Sequence, residues 1–146
     1  MGECHMKILT SFLIVLASSA AADHELDSRD LNKGRALYVE TCASCHGSDL
    51  RGQPDWQIPN DEGILPAPPH DRTGHTWHHD NALLFDYTKF GGRGTLALRG
   101  IKDFNSGMPA FESTLSDDDI WTILAYIKST WPEREQQAQA SRNPPH

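Results

Sequence analysis

Thiols are scarce in this chain of 146 residues: there are three cysteines, and after residue 22 only Cys42 and Cys45 remain, too few for a cysteine-rich structural zinc site. Basic residues are also in short supply. Thirteen lysines and arginines face 20 aspartates and glutamates, a formal charge of −7. Nucleic acids and anionic membranes are bound through Lys/Arg patches, so this balance excludes both as partners. Long hydrophobic runs are missing except for residues 8–17, and no second run follows that could stop transfer across a bilayer. Neither period-two alternation nor an internal repeat is found, which leaves helices and loops as the material of a single domain.

What is present begins with that one apolar run, ILTSFLIVLA, preceded by Lys7 and followed by the small residues SSAAA. This is the layout of a secretory signal peptide over residues 1–22, cut after Ala22 or, nearly as well, after Ala20. The five residues MGECH ahead of it point to Met6 as the start, in which case Cys4 is never made. A lipid anchor on Cys4 is the poorer reading, because a lipidated cysteine should follow the apolar region. Removing residues 1–22 takes away Glu3 and Lys7 together and leaves the charge at −7. The expected location is the periplasm.

Residues 30–41 carry apolar side chains at Leu31, Ala36, Leu37 and Val39 beside Tyr38, the pattern of a short amphipathic helix capped by Asp27 or Ser28. From Gly47 to about His79 glycine, proline, aspartate and asparagine dominate, and prolines forbid a continuous helix. A loop of that length in a small domain calls for something to wrap around. Residues 80–90 read as a helix capped by Asp80 and ended by Gly91 and Gly92, with loop resuming over 91–110. A last helix is expected from Asp117 to Thr130, capped by Ser116, supported by three aspartates and stopped by Pro132. The domain should therefore occupy residues 23–131, leaving 132–146 as a flexible tail with almost nothing to bury.

The chemistry lies in residues 42–46, CASCH. CxxCH is the attachment sequence of c-type haem. Two thiols three positions apart can each form a thioether to one vinyl group of the same haem, while the adjacent histidine ligates its iron. Cys42 and Cys45 would hold the ring and His46 the metal. A disulfide, a redox dithiol or half a zinc site are the competing uses of CxxC. A disulfide leaves His46 unexplained, a four-ligand zinc site finds no further cysteine beyond Cys42 and Cys45, and no strand-helix-strand unit frames a dithiol.

Met108 is the one methionine beyond the export segment, and it lies in SGMPAF, about 60 residues after His46. A lone methionine is ordinarily gap-filling core. Between Gly107 and Pro109 in a loop it is instead placed to close the iron's sixth position. Histidine-methionine ligation raises the reduction potential, and a closed coordination sphere favours electron transfer over substrate binding.

The order of capped helix, CxxCH, proline loop, middle helix, methionine-proline loop and terminal helix resembles a class I cytochrome c over roughly residues 26–131. PAPPHDRTGHTWHH with MPAF and LSDDDIWTILAYIKSTWP is similar to a group of small bacterial monohaem cytochromes. The resemblance implies an all-α, cytochrome c-like fold of about four short helices and long loops around one covalent haem c. It implies that the first and last helices cross, with Gly34 and Tyr38 opposite Leu124 and Tyr126. It also implies that a loop proline carbonyl accepts the His46 ring N–H; in APPH the match is Pro68, with Pro69 as competitor.

His70, His75, His78 and His79 fall within ten residues and invite a second metal, but no carboxylate or cysteine pattern completes a site. One of them displacing Met108 from the iron would lower the potential. Trp56, Trp77 and Arg72 or Arg93 are candidate donors to haem propionates or plain packing residues.

The function expected is a monomeric, periplasmic one-electron carrier with no substrate chemistry, docking on redox partners with a basic face. The alternatives are the electron-accepting subunit of a periplasmic dehydrogenase, and a haem enzyme or sensor with an open distal site.

Overall fold

The computed structural model describes residues 25–144; the signal-peptide expectation for residues 1–22, with Cys4 and Met6, lies outside the described residues. Among those residues all regular structure is helical: α1 (Leu31–Thr41), α2 (Ala43–His46), a 3-10 turn at Thr76–His78, α3 (Asn81–Leu98), α4 (Asp117–Ser129) and α5 (Glu133–Ala140). No helix in this range is long and apolar enough to cross a membrane.

Helix α1 is capped by Asp30, whose carboxylate accepts from the N–H groups of Asn32 and Lys33 at 2.9 and 3.1 Å, and not by Asp27 or Ser28. Its buried residues are Gly34 and Tyr38, one turn apart, while Leu31 and Val39 are exposed. The expected apolar stripe is thus turned, because the missing side chain at Gly34 lets α1 sit directly on α4. A Cβ at Gly34 would collide with the Thr122 carbonyl oxygen and stand 2.8 Å from Tyr126 Cβ. Tyr38 and Tyr126 rings meet at 5.6 Å across this crossing.

Helix α4 starts with a full capping box: Ser116 Oγ accepts from the Asp119 N–H at 3.2 Å, and the Asp119 carboxylate accepts from the Ser116 N–H. It contributes Ile120, Ile123, Leu124, Ala125 and Ile127 to the core, joined by Leu26, Tyr38, Leu50, Leu115 and Trp131.

Helix α3 is capped by Asp80, which accepts from the Leu83 N–H at 2.7 Å. Its first helical run ends at Gly91, as the glycines after Phe90 lead one to expect, but a second run follows. The backbone breaks at Gly91 (φ 72°, ψ 168°) and resumes helix through Leu98, so part of the expected 91–110 loop is helical.

The expected flexible tail also differs. Pro132 ends α4 and opens α5, and Gln139 of α5 is fully buried. Gln139 Nε2 donates to Asn81 Oδ1 at 2.7 Å and to the His79 carbonyl at 3.3 Å. Polar contacts hold this segment, so a search for apolar residues passes over it.

Candidate haem-attachment site

The first helix delivers the CASCH segment as a continuous turn. Cys42 closes α1 by donating its N–H to the Tyr38 carbonyl at 2.9 Å, and opens α2, where the His46 N–H donates back to the Cys42 carbonyl at 2.9 Å. Gly47 (φ 77°) then reverses the chain, a left-handed conformation that suits glycine. Cys42 and Cys45 are both free thiols, the first half-buried and the second exposed. Burial pushes the Cys42 thiol above its ordinary value, against the lowering effect of the neighbouring Thr41 hydroxyl.

His46 is buried, and its Nδ1 lies 2.8 Å from the carbonyl oxygen of Pro68. A carbonyl only accepts, so Nδ1 carries the proton and Nε2 keeps its lone pair. Burial lowers the His46 pKa, more than the Pro68 contact raises it, which favours the neutral imidazole that metal ligation needs. Pro68, and not Pro69, makes the contact.

The proline loop is fixed from beneath. Gly52 (φ 67°) would bring a Cβ to 2.6 Å from the Ala67 oxygen, Pro68 carbon and Pro69 nitrogen, so only glycine allows this approach. The Gln53 N–H donates to the Ala67 carbonyl at 2.9 Å, the Gln53 side chain accepts from the Ala67 N–H at 3.0 Å, and the His70 N–H donates to the Leu50 carbonyl at 2.7 Å. These contacts lock the segment after CASCH to the segment that faces His46.

His70 is brought onto His46 in a way that a histidine-rich loop does not foretell. The two rings stack at 3.9 Å between centroids with 19° between planes. Burial first, then the nearby His46 and His75 imidazoles, push His70 well below its ordinary pKa. The other three histidines stay apart from this pair as ring partners. His75 stacks on Trp56 and meets His79 edge-on, each at 5.3 Å, while His78 lies edge-on to Trp77 at 3.8 Å. Among the described residues no group of three or more His, Cys, Asp or Glu side chains is gathered as for a metal ion.

Met108 is held by a separate set of elements. The break in α3 seats its loop: a Cβ at Gly91 would come within 2.9 Å of the Met108 oxygen, and one at Gly92 would collide with Ser106. The Gly92 N–H donates to the Met108 carbonyl at 3.2 Å, and Ser106 Oγ accepts from the Met108 N–H at 3.2 Å. Gly91 and Gly92, read from sequence as a helix stop, are the platform for this loop. The loop also meets the segment after the CASCH turn, since Gly107 faces Ile64 and Asn105 Nδ2 donates to the Glu62 carbonyl at 2.7 Å. Ile58 and Leu65 on one of these segments, and Ile101 and Phe104 on the other, are individually exposed.

Of the candidate propionate donors, Trp77 Nε1 donates to the Arg72 carbonyl at 3.3 Å and Arg93 is hydrogen-bonded to Asn105. Trp56 is the face on which His75 stacks.

Chemically, the CASCH turn offers two free sulfurs on one side of a short helix and one neutral imidazole with its distal nitrogen uncommitted. That set suits a covalently tethered metallocycle.

Comparison with known proteins bears on the same residues. The family described as cytochrome c oxidase, cbb3-type, subunit III matches residues 29–127, from just before α1 into the last turn of α4. Among curated proteins the chain is similar to the thiosulfate dehydrogenase of Stutzerimonas stutzeri (strain A1501), 30% identical over 134 residues, covering 83% of this chain and 38% of that protein. The chain thus spans well under half the length of that relative. No solved structure matches.

Proposed function

We propose, from the premise that the chain belongs to the family described as cytochrome c oxidase, cbb3-type, subunit III, a family of c-type cytochrome domains, that it is an exported one-electron carrier with a single haem attached at CASCH. Haem c, the cofactor that membership of this family implies, supplies the one-electron couple. In this reading Cys42 and Cys45 take the two thioether bonds, His46 Nε2 ligates the iron, and Met108 provides the sixth ligand. The Pro68 carbonyl keeps the proton on His46 Nδ1 and fixes the ring, raising the basicity of the ligand.

The residues present fit the group. The observation that carries the reading is the His46 Nδ1 contact with Pro68 at 2.8 Å, on a turn whose two thiols are free. That hydrogen bond leaves Nε2 as the donor to a metal. With His46 and Met108 both available to hold the iron, the group would have no need of an exchangeable ligand, which suits a carrier. A charge of −7 favours a partner with a basic docking face and association that weakens as salt rises. We take the carrier to be a monomer released into the periplasm.

A second reading is favoured by the similarity to a thiosulfate dehydrogenase: the chain as the electron-accepting partner of a dehydrogenase, receiving electrons from a catalytic chain.

Absorption spectra of the oxidised and reduced protein, made with the haem-attachment machinery and repeated for Met108→Ala, test both. A carrier shows haem that survives acid-acetone extraction, a methionine-to-iron charge-transfer band, and no carbon monoxide binding when reduced at neutral pH. Met108→Ala is expected to lose the band and bind carbon monoxide. An unchanged spectrum in the variant would remove Met108 from the iron, and a colourless wild-type protein would remove the haem. Reduction of the wild-type protein by added thiosulfate alone would give it an oxidoreductase activity of its own and overturn the pure-carrier reading.

A further inference from the structure

His70 is not needed to bind, tether or ligate anything in the function above, yet its ring lies flat against that of His46. Two restraints act on the His46 ring, and they act in different directions. The Pro68 carbonyl holds the ring edge, within its plane, through Nδ1 at 2.8 Å. The His70 ring presses on its face, 3.9 Å away and nearly parallel. The hydrogen bond restrains the ring at one atom of its edge, leaving the rest of its plane to tilt within the tolerance of that one bond. A flat group against the face stops that tilt.

His70 is itself braced as a part that must not move. Its N–H donates to the Leu50 carbonyl at 2.7 Å, and its carbonyl accepts from Trp131 Nε1 at 2.7 Å. Its ring meets Tyr38 edge-on at 5.9 Å, and the Tyr38 hydroxyl donates to the carbonyl of Gly47, the residue after His46, at 3.0 Å. The braces therefore come from both sides of the helix crossing and return to the CASCH turn. The ring's own polar atom is not what holds it, because Nδ1 of His70 is shut off from solvent and has no hydrogen-bond partner. A buried nitrogen left without a partner costs free energy of about 1–3 kcal/mol, so an aliphatic side chain would be the cheaper filler here. A planar ring is present despite that cost.

We infer that His70 is a positioning residue for the proximal ligand: by stacking on His46 it fixes the plane of the imidazole, and with it the asymmetry of the ligand field at the iron. The inference rests on His46 being the ligand of a covalently attached haem. The orientation of an axial imidazole sets how unpaired spin is spread over the porphyrin, so it is read directly in the hyperfine-shifted haem-methyl resonances of the ferric protein and in the anisotropy of its electron paramagnetic resonance.

The test uses His70→Phe and His70→Leu in the full chain with haem attached. Both fill the site, so both should fold; only phenylalanine offers a flat face. His70→Phe is expected to keep the wild-type order of methyl shifts and g values, and His70→Leu to shift them, with a change in reduction potential that Phe does not show. A leucine variant whose methyl pattern matches the wild type would overturn the inference and reduce His70 to filling, as would a phenylalanine variant displaced as far as leucine. Wild-type samples run in parallel separate this from the underlying reading: if they carry no thioether-linked haem by pyridine haemochrome, the cytochrome assignment fails, whatever the variants do.

Discussion

At the scale of single residues, one position that resists replacement outside the CASCH turn is a glycine that carries no chemistry. Gly34 lets the backbones of α1 and α4 approach until no Cβ fits between them and Thr122. Gly34→Ala should therefore force the helices apart, in spite of the better helix propensity of alanine, and cost about 1–3 kcal/mol of stability as overpacking does. Denaturant unfolding of the haem-loaded protein and of this variant measures it; a difference near zero would mean that the crossing relaxes freely. Not all of the site was equally open to a reader of the sequence. Cys42, Cys45 and His46 announce themselves because local spacing alone fixes their geometry on one helical turn. His70 does not, since its role depends on how the proline loop is laid back over that turn by Gly52 and Leu50, which are contacts between segments. Gly91 and Gly92 were visible as helix breakers, but nothing local says that a methionine loop rests on the break.

At the scale of elements, the starts of α1 and α4 are joined by charge as well as by packing. Lys33 Nζ lies 2.7 Å from Asp119 Oδ1 and 3.5 Å from Asp118 Oδ2, and Arg29 pairs with Asp118. The hydrogen bond from Lys33, then that from Ser116, holds the Asp119 carboxyl below its ordinary value, while Asp119 raises Lys33. A lowered carboxyl contributes its full stabilisation above its ordinary value of about 4 and loses it as pH falls through the lowered one. A raised lysine contributes fully below about 10 and loses it only as pH climbs through the raised value. The pair is thus complete at neutral pH and fails in acid. Thermal unfolding followed from pH 6 to pH 3 should show a fall in stability that Asp119→Asn makes shallower; equal slopes would remove the pair from the acid response. Helix α4 was the element best marked in the sequence, through Ser116 and its three aspartates. Helix α1 was marked correctly in extent; its apolar pattern at Leu31 and Val39 pointed to the wrong face, while the resemblance, through Gly34 and Tyr38, pointed to the buried one. Helix α5 was missed because glutamines carry it.

At the scale of the whole molecule, α5 makes the segment after Trp131 part of the body of the fold. Gln139 reaches Asn81 and the His79 carbonyl, so a chain stopped after Trp131 uncovers the 3-10 turn and the start of α3. Such a chain is expected to keep its haem spectrum, to melt at lower temperature, and to be cut by proteases between residues 70 and 80 sooner than the full chain; equal digestion rates would show that α5 merely rests there. The arrangement that produces this is centred on Asn81. Its side chain donates to Glu25 Oε2 at 3.2 Å, and its backbone N–H donates to Asn143 Oδ1 at 2.8 Å. One asparagine thus holds residues near either limit of the described range within its own span. A short linker would therefore suffice to join residue 143 to residue 25, and the ring so formed can be reopened at Gly63, where nothing crowds the backbone, giving a circular permutant with new ends far along the sequence from the CASCH turn's own helix.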